Sequence, residues 1–341
     1  MTMASDVKKY AEDILRICSY HRRDFDLVLV RSRPHEMQVV QESLQTDFKT
    51  PPISGLGVLD RLPPELTSIV LHNLDILSYF RFRQVNRRAR VVSTALWEYS
   101  LVSKHGLEGL RGLLRADLAQ NFTLMDLYRP LIALSCEFCG AFGGFLFLLT
   151  ATRCCFVCIQ TSPKMRVLCT SALAKLTRMS VRRLRRLLRL RLCTVRGYYS
   201  MEDRQVRRPK YLVAEEEAIS SLTSLGVLRQ DAVQRLASRT ENRNQRLMAS
   251  TAFAWYDIDT AKIECGVSCK GCQVRVETAD GDFGDRDRVF STTGFLTHFT
   301  NCAEAQNLWN ESQNGKKPVK EPEFTRRCGY FSTLGSDGLP R

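Results

Sequence analysis

Residues 136–158 read CEFCGAFGGFLFLLTATRCCFVC, which places two CxxC pairs on either side of an apolar run. Three structures would account for the pattern: a membrane span, a redox dithiol or a metal site. The 22 residues from Leu131 to Thr152 include one charged side chain, Glu137, and are long enough to cross a bilayer. Three glycines interrupt this run, and a membrane span gives the flanking thiols no role.

The spacing of the four thiols favours a zinc ribbon. Fifteen residues separate the two CxxC pairs, and each CxxC turn can supply one edge of a ligand tetrahedron. FLFLLTA then becomes a buried strand in a hairpin. The predicted ligands are Cys136, Cys139, Cys155 and Cys158, with Cys154 as the alternative to Cys155. Four thiolates leave no position for water, so the site is predicted to be structural. A redox dithiol is expected at a helix N-terminus beside a βαβ pattern, which the sequence does not indicate.

A second cluster lies in CGVSCKGCQ (265–273) and GFLTHFTNCAEAQNLW (294–309). His298 and Cys302 are four residues apart in a predicted helix, so both donors would lie on one face. The predicted ligands are Cys269, Cys272, His298 and Cys302. Cys265 is the alternative to Cys269, and the alternative for His298 is a surface or core histidine. The chain is therefore expected to hold two structural zinc ions.

The net charge of +14 is concentrated in one segment. Residues 178–210 contain eleven arginines and one lysine against one glutamate and one aspartate, a local charge of +10. Within SVRRLRRLLRLRLCTVRG (180–197), a helical wheel places leucines on one side and Arg182, Arg185, Arg186 and Arg189 on the other. From Leu188 the alternation would also suit a strand. The arginines predict a solvated face, or a face for an acidic partner or nucleic acid, although no aromatic residues interleave with them to stack on bases.

Residues 59–90 read LDRLPPELTSIVLHNLDILSYFRFRQVNRRAR. Pro63 and Pro64 suit the first turn of a helix, and Leu66, Ile69 and Val70 follow at the spacing of one buried helical face. This segment resembles an F-box, and with the cysteine clusters the chain resembles F-box proteins that have zinc-binding clusters downstream. The resemblance implies binding to a Skp-type adaptor and its cullin ligase core. The residues expected in the adaptor groove are Leu62, Pro63, Leu66, Val70, Leu74 and Leu77.

The predicted fold is mainly α with small β elements, an α+β protein. Its predicted parts are an N-terminal helical extension and linker (1–54), the F-box (55–102), a connector with the zinc-ribbon-like module and basic segment (103–212), a helical region with the C-terminal CCHC-type zinc module (213–310), and a flexible tail (311–341). The helical middle lies between the two zinc modules.

The expected function is a non-catalytic substrate receptor of a ubiquitin ligase, with an unknown protein substrate. The sequence contains no glycine-rich phosphate loop, HExxH or GxSxG motif. The alternative is a zinc-containing nucleic-acid-binding protein that uses residues 178–210. Thirteen cysteines without a visible secretory signal predict an intracellular protein of the cytoplasm or nucleus, with no transmembrane span.

Overall fold

The computed structural model describes residues 7–46, 50–199, 205–206, 208–228, 233–234, 236, 243–278 and 285–329. Within these ranges the chain is mainly helical with short, antiparallel sheets, which confirms the predicted fold class. None of the helices in the described part combines the length and apolar character needed to cross a membrane.

The helices are short and are numbered here in chain order. They are α1 Ala11–Cys18, α2 Arg23–Leu27, α3 Pro34–Gln45, α4 Pro64–Asn73, α5 Ile76–Arg83, α6 Arg87–Thr94, α7 Trp97–His105, α8 Leu107–Arg115, α9 Met125–Ile132, α10 Phe156–Thr161, α11 Thr170–Thr177, α12 Val181–Leu187, α13 Glu215–Ser224, α14 Asn244–Leu247, α15 Lys270–Thr278, α16 Thr292–Phe299, α17 Ala303–Glu311 and α18 Glu323–Arg326. Short 3-10 turns cover Gly57–Arg61, Ala119–Asn121 and Pro163–Met165.

The strands form small sheets. They are β1 Ser19–Tyr20, β2 Phe145–Phe147, β3 Thr152–Cys154, β4 Val167–Cys169, β5 Leu192–Cys193, β6 Gly197–Tyr198, β7 Gln205–Val206, β8 Tyr211–Ala214, β9 Ser250–Ala252, β10 Trp255–Asp257, β11 Lys262–Glu264 and β12 Ser268–Cys269. The two three-stranded sheets have the orders β3-β2-β9 and β4-β8-β5, and the pairs are β1-β12, β6-β7 and β10-β11.

Helices α4 to α7 form a bundle around buried aromatic rings. Tyr79 stacks on Tyr99 with ring centroids 5.3 Å apart, and its hydroxyl donates to the Ser93 carbonyl at 2.6 Å. Asp75 and Asn86 cap α5 and α6 by accepting a bond from the backbone N–H of the third residue of each helix. These caps and rings hold the bundle against the main core of the molecule.

One face of α4 differs from its sequence prediction. The periodicity of Leu66, Ile69 and Val70 indicated a buried face, but these side chains are 46%, 55% and 43% exposed. The residues that α4 buries are Thr67 and Leu71. The apolar periodicity therefore marks a surface that no other described part of this chain covers.

The hairpin of β2 and β3 lies at the centre of the main core. Phe145, Leu146 and Phe147 are all buried, with β9 on one side of β2 and β3 on the other. The buried Arg153 of β3 donates to the carbonyls of Pro130, Gly143 and Ala254, among others. Burial lowers the pKa of Arg153 to about 10. Its guanidinium satisfies carbonyls that would otherwise be buried without partners.

The N-terminal segment runs across the other parts of the molecule. β1 pairs with β12 near the second cysteine cluster, and the Val30 N–H donates to the Ser250 carbonyl of the central sheet at 2.9 Å. At the end of α3, the Leu44 carbonyl accepts bonds from Arg83 and Tyr99 of the helical bundle. Unpaired carbonyls at a helix end need such donors. The extension therefore contacts the bundle, the central sheet and the C-terminal cluster.

The basic segment contains both predicted elements. Its first part is the helix α12, and the strand β5 follows after a short connection. Leu184, Leu188 and Leu192 are buried, as the wheel predicts, and α12 packs on α11 beside the β4-β8-β5 sheet. Residues 229–232, 235 and 237–242 of the predicted helical region lie outside the described part.

The C-terminal region differs from the sequence prediction in two ways. His298 and Cys302 do not share one helix, because α16 ends at Phe299 and Cys302 is the N-cap of α17. The segment 311–329, predicted as tail, packs on the body: Glu321 pairs with the buried Lys270 at 2.5 Å, and the Arg22 guanidinium lies 4.9 Å from the Phe324 ring centre. Residues 330–341 lie outside the described part.

Candidate functional site

The first cysteine cluster brings together the four thiols predicted from their spacing. The Sγ atoms of Cys136, Cys139, Cys155 and Cys158 all lie within 4.8 Å of one another. Cys139 is exposed and the other three are buried. Cys136 and Cys139 occupy a turn before β2, whereas Cys155 caps α10 and Cys158 lies in its first turn.

The local backbone explains the first turn. The Cys136 carbonyl accepts from the Gly140 N–H at 2.9 Å, and the Cys136 N–H donates to the Ala141 carbonyl at 2.6 Å. Gly140 has a φ of 74°, in the left-handed region that glycine adopts without steric cost. This tight reversal points Cys136 and Cys139 towards the thiols that follow β3.

The chemistry of the first cluster favours a cation. A hydrogen bond with Cys155 lowers the pKa of Cys136 to about 4, while burial raises the pKa of Cys158 to about 12. The Cys136 thiolate is thus stabilised by a neighbouring thiol, whereas the buried Cys158 thiol resists ionisation beside it. A bound cation favours the thiolate form of all its ligands, which removes this conflict.

The second cluster joins residues from four consecutive elements. Cys269 ends β12, Cys272 lies in the first turn of α15, His298 lies in α16 and Cys302 precedes α17. Their ligand atoms also all lie within 4.8 Å of one another. Hydrogen bonding from Cys269 lowers the pKa of Cys302, and hydrogen bonds to Cys272 and Cys302 raise the pKa of Cys269. The same conflict between neighbouring thiols therefore occurs here.

Neighbouring side chains orient the ring of His298. Its Nε2 lies 3.3 Å from Cys272 Sγ, and its Nδ1 lies 3.8 Å from the Asp285 carboxylate. The Phe290 ring stacks on the imidazole with centroids 4.5 Å apart. The far nitrogen of a histidine ligand of zinc usually donates a hydrogen bond to a carboxylate, and Asp285 at 3.8 Å is near His298 but beyond that distance.

The distances within both clusters fit tetrahedral zinc. A Zn–S bond of about 2.3 Å gives a sulfur–sulfur edge of about 3.8 Å. Cys139 Sγ and Cys155 Sγ are 3.6 Å apart, and Cys269 Sγ and Cys302 Sγ are 3.8 Å apart. The two clusters could therefore hold metal ions, and their closed donor sets match structural zinc.

The redox alternative has more local support than the sequence indicated. Cys155–Cys158 and Cys269–Cys272 both lie at helix N-termini, the usual position of a redox dithiol. The sheets in the described part are antiparallel, so the βαβ context of a redox dithiol does not occur there. Each pair also has two more ligand atoms within reach, an arrangement that a dithiol does not need.

The adjacent cysteines occupy different environments. Cys154 ends β3 opposite Phe145, is fully buried, and has a pKa raised by that burial. Cys265 is exposed, lies beyond β11, and lines a cavity with His21 and Asp26. Neither belongs to the four-ligand groups.

The basic face is separate from both clusters. Arg182, Arg185 and Arg186 are exposed on α12, and Arg189 is exposed just after the helix ends. The sequence showed no aromatic residue among them, but Tyr211 of β8 lies under Arg185 at 3.8 Å from its guanidinium carbon.

The predicted adaptor residues divide between surface and core. Pro63, Leu66 and Val70 are exposed, whereas Leu62, Leu74 and Leu77 are partly buried, the last two against the main core. The exposed large apolar residues in this region also include four that the predicted set lacked: Val58, Ile69, Val85 and Trp97. Asn86 donates to the Gly55 carbonyl at 3.0 Å, so the turn that carries Val58 lies beside the residues that follow Val85.

Comparison with known families identifies this helical bundle. Residues 59–104 match the F-box domain. The chain carries an F-box. This domain implies binding to a Skp-type adaptor of SCF-type ubiquitin ligases, a class whose F-box subunits are typically non-catalytic receptors. Searches of curated proteins and of solved structures found no match to the chain.

Sequence reasoning missed several structural residues around these sites. Arg153 and Lys270 each lie beside a cysteine cluster and are buried, with Lys270 between the two members of a CxxC pair. Ile69 shared the periodicity of Leu66 and Val70, so that periodicity was the signal that could have placed it in the F-box surface.

Proposed function

We propose that this protein is the substrate-receptor subunit of a Skp-cullin-F-box ubiquitin ligase. Its F-box would hold the adaptor, and the region stabilised by the two zinc sites would hold a protein substrate. The chemistry of ubiquitin transfer belongs to other subunits in this proposal, and the receptor contributes by bringing the substrate close to them.

One observation carries the proposal. Within a domain that matches the F-box, α4 exposes Leu66, Ile69 and Val70 side by side. Large apolar side chains gathered on one helical face are typical of a surface that a partner covers. A helix with such a face suits the helix-in-groove mode of recognition. Pro63 precedes these residues as the N-cap of the helix, and Pro64 is its first residue.

In this proposal the F-box must keep a fixed position relative to the region that binds the substrate. The end of α3 is tied to the bundle through Arg83, Tyr99 and Arg90, and the same N-terminal segment continues to the second cluster. The F-box helix α7 also packs on α8 and α9, which precede the first cluster. These contacts support a rigid receptor, in which a bound substrate would keep a constant orientation towards the adaptor.

The decisive experiment compares two isoleucines of similar exposure. Ile69 is 55% exposed on α4, and Ile258 is 49% exposed near the β10–β11 turn. We expect the intact chain to co-purify with a Skp-type adaptor, Ile69→Asp to lose most of this binding, and Ile258→Asp to retain it. A charge desolvated in an apolar interface without a partner is strongly unfavourable.

Circular dichroism of both variants checks that the fold is intact. The proposal is wrong if the folded wild-type chain forms no complex with the adaptor, or if Ile69→Asp binds it as well as Ile258→Asp does.

A further inference from the structure

Helix α12 exposes its arginine side chains, while leucines on its other side are buried. Leu184 and Leu188 are 0% and 2% exposed and pack in the core beside the β4-β8-β5 sheet. The exposed residues on this short stretch, named here the arginine face, are Arg182, Arg183, Arg185, Arg186 and Arg189. The face is thus part of a folded module.

The arginine face lacks acidic partners within the described residues. No carboxylate there forms an ion pair with any of its five guanidinium groups. Other arginines are paired: Arg111 with Glu36 at 3.0 Å, and Arg275 with Glu304. Like charges three and four positions apart on a helix repel one another. The face therefore carries positive charge that an anionic partner would neutralise.

Local contacts hold the face in place before any partner arrives. The Ser180 side chain accepts from the Arg183 N–H at 3.3 Å and caps the helix. Arg191 donates to the Leu188 carbonyl at 2.7 Å just beyond the helix end, and Arg185 lies over the Tyr211 ring. A preformed surface loses less conformational entropy when it binds.

We propose that the arginine face binds an acidic peptide segment of the protein to be ubiquitylated. The role of this segment as part of a substrate rests on the proposed function. The guanidinium fork pairs with a carboxylate through two parallel hydrogen bonds. Arg182, Arg185 and Arg186 lie three and four positions apart on α12, and Arg189 follows just beyond the helix end, so several aspartate or glutamate side chains of one peptide can each meet an arginine.

Two observations favour a peptide over nucleic acid. Binding of single strands relies on aromatic rings on which bases stack, and the ring that packs on this helix, Tyr211, already lies against Arg185. The seven residues of α12 span only about 10 Å at the usual helical rise. This length suits a few carboxylates better than the long phosphate path that electrostatic binding of a duplex uses.

The test measures fluorescence anisotropy of a labelled glutamate-rich peptide added to the full chain. A peptide with glutamine in place of glutamate and a labelled single-stranded oligonucleotide are measured in parallel. We expect saturable binding of the acidic peptide, no binding of the glutamine peptide, and weakening as salt is raised. R182Q/R186Q/R189Q should reduce the affinity about tenfold or more, since each exposed pair contributes modestly.

A matched variant controls for the loss of net charge. Arg61, Arg87 and Arg88 are also exposed, so R61Q/R87Q/R88Q removes the same charge away from α12 and should leave peptide binding unchanged. No binding of the acidic peptide, equal losses in both triple variants, or tighter binding of the oligonucleotide at the same salt would overturn the inference. Adaptor capture by R182Q/R186Q/R189Q is measured separately, so a failure of the F-box proposal is distinguished from a failure at the arginine face.

Discussion

Ser19 pairs with Cys269 in the antiparallel ladder of β1 and β12, so the N-terminal segment supports the backbone of a candidate zinc ligand. The preceding helix covers the same cluster: Ile14 and Cys18 are buried against it, and Cys18 Sγ donates to the Ala305 carbonyl at 3.3 Å. The second cysteine cluster, a candidate metal site, is therefore built from both ends of the described chain.

Replacement of Ile14 by alanine should loosen the second centre. Ile14 is 1% exposed, and truncation of such a side chain costs about 2–5 kcal/mol of unfolding free energy. We expect one zinc ion to pass to a chelator faster than in the wild type, because the packing over the cluster is weakened. Val39→Ala, at a site 71% exposed, should release zinc at the wild-type rate. Equal rates in the two variants would argue against this coupling.

Replacement of single cysteines should separate ligands from bystanders. The intact chain is expected to hold about two zinc ions. Cys269→Ser should reduce this to about one, because it removes a ligand atom from the second centre. Cys265→Ser should leave it unchanged, since this thiol is exposed and outside both four-ligand groups. Zinc content by mass spectrometry checks both values, and a loss of zinc in Cys265→Ser would show that the ligand set is different.

The ion pair of Arg22 and Asp24 should be important for stability. Their side chains are 2% and 0% exposed, and Arg22 also lies over the Phe25 ring at 4.0 Å. Asp24→Ala leaves a buried guanidinium without this partner, so we expect a loss of about 3–5 kcal/mol in urea unfolding. The exposed pair of Arg16 and Asp13 provides the control, and Asp13→Ala should change stability by less than about 1 kcal/mol. Similar losses in both variants would contradict this expectation.

The pair of His21 and Asp26 should give a small, pH-dependent contribution. The hydrogen bond from His21 Nε2 to Asp26, 2.7 Å long, raises the pKa of His21 above its usual 6.5. The protonated form is favoured in the folded state, so the contribution is fully present below pH 6.5 and is lost as pH rises through the raised pKa. Because both side chains are more than a third exposed, it should stay below about 1 kcal/mol.

Thermal unfolding across this pH range tests the histidine pair. The difference in Tm between wild type and Asp26→Asn should be greatest at low pH and should shrink as pH rises. His21→Asn should add little to Asp26→Asn, because the second change removes a partner that is already lost. A difference that grows with pH would refute the assigned sign.

The first cysteine cluster could be predicted from sequence because ligand spacing within a short hairpin is a local property. The choice between Cys154 and Cys155 as the ligand could not be predicted from sequence. Adjacent residues of a strand point to opposite sides of the sheet, and the pairing register of this strand was unknown. In the structure Cys154 faces the core opposite Phe145, and Cys155 begins the next helix.

The F-box surface shows a second limit of sequence reasoning. Periodicity identifies Leu66, Ile69 and Val70 as one face, but it does not say whether this chain or a partner covers them. The pairing of Ser19 with Cys269 could not be predicted from sequence for another reason. Strands of two residues show almost no alternation of apolar and polar residues, and their partners lie at distant positions in the chain.

The course of the N-terminal segment has a consequence for deletion mapping. Removal of residues 1–54 as a dispensable leader to the F-box would take away the strand beside Cys269 and the ring of Tyr10 that lies 5.9 Å from Trp309. It would also leave the donors of Arg83 and Tyr99 without the Leu44 carbonyl. If a truncated chain fails to bind a substrate, the loss would therefore reflect a disrupted fold and not a missing binding residue. Point substitutions on the surface are the safer way to locate binding residues.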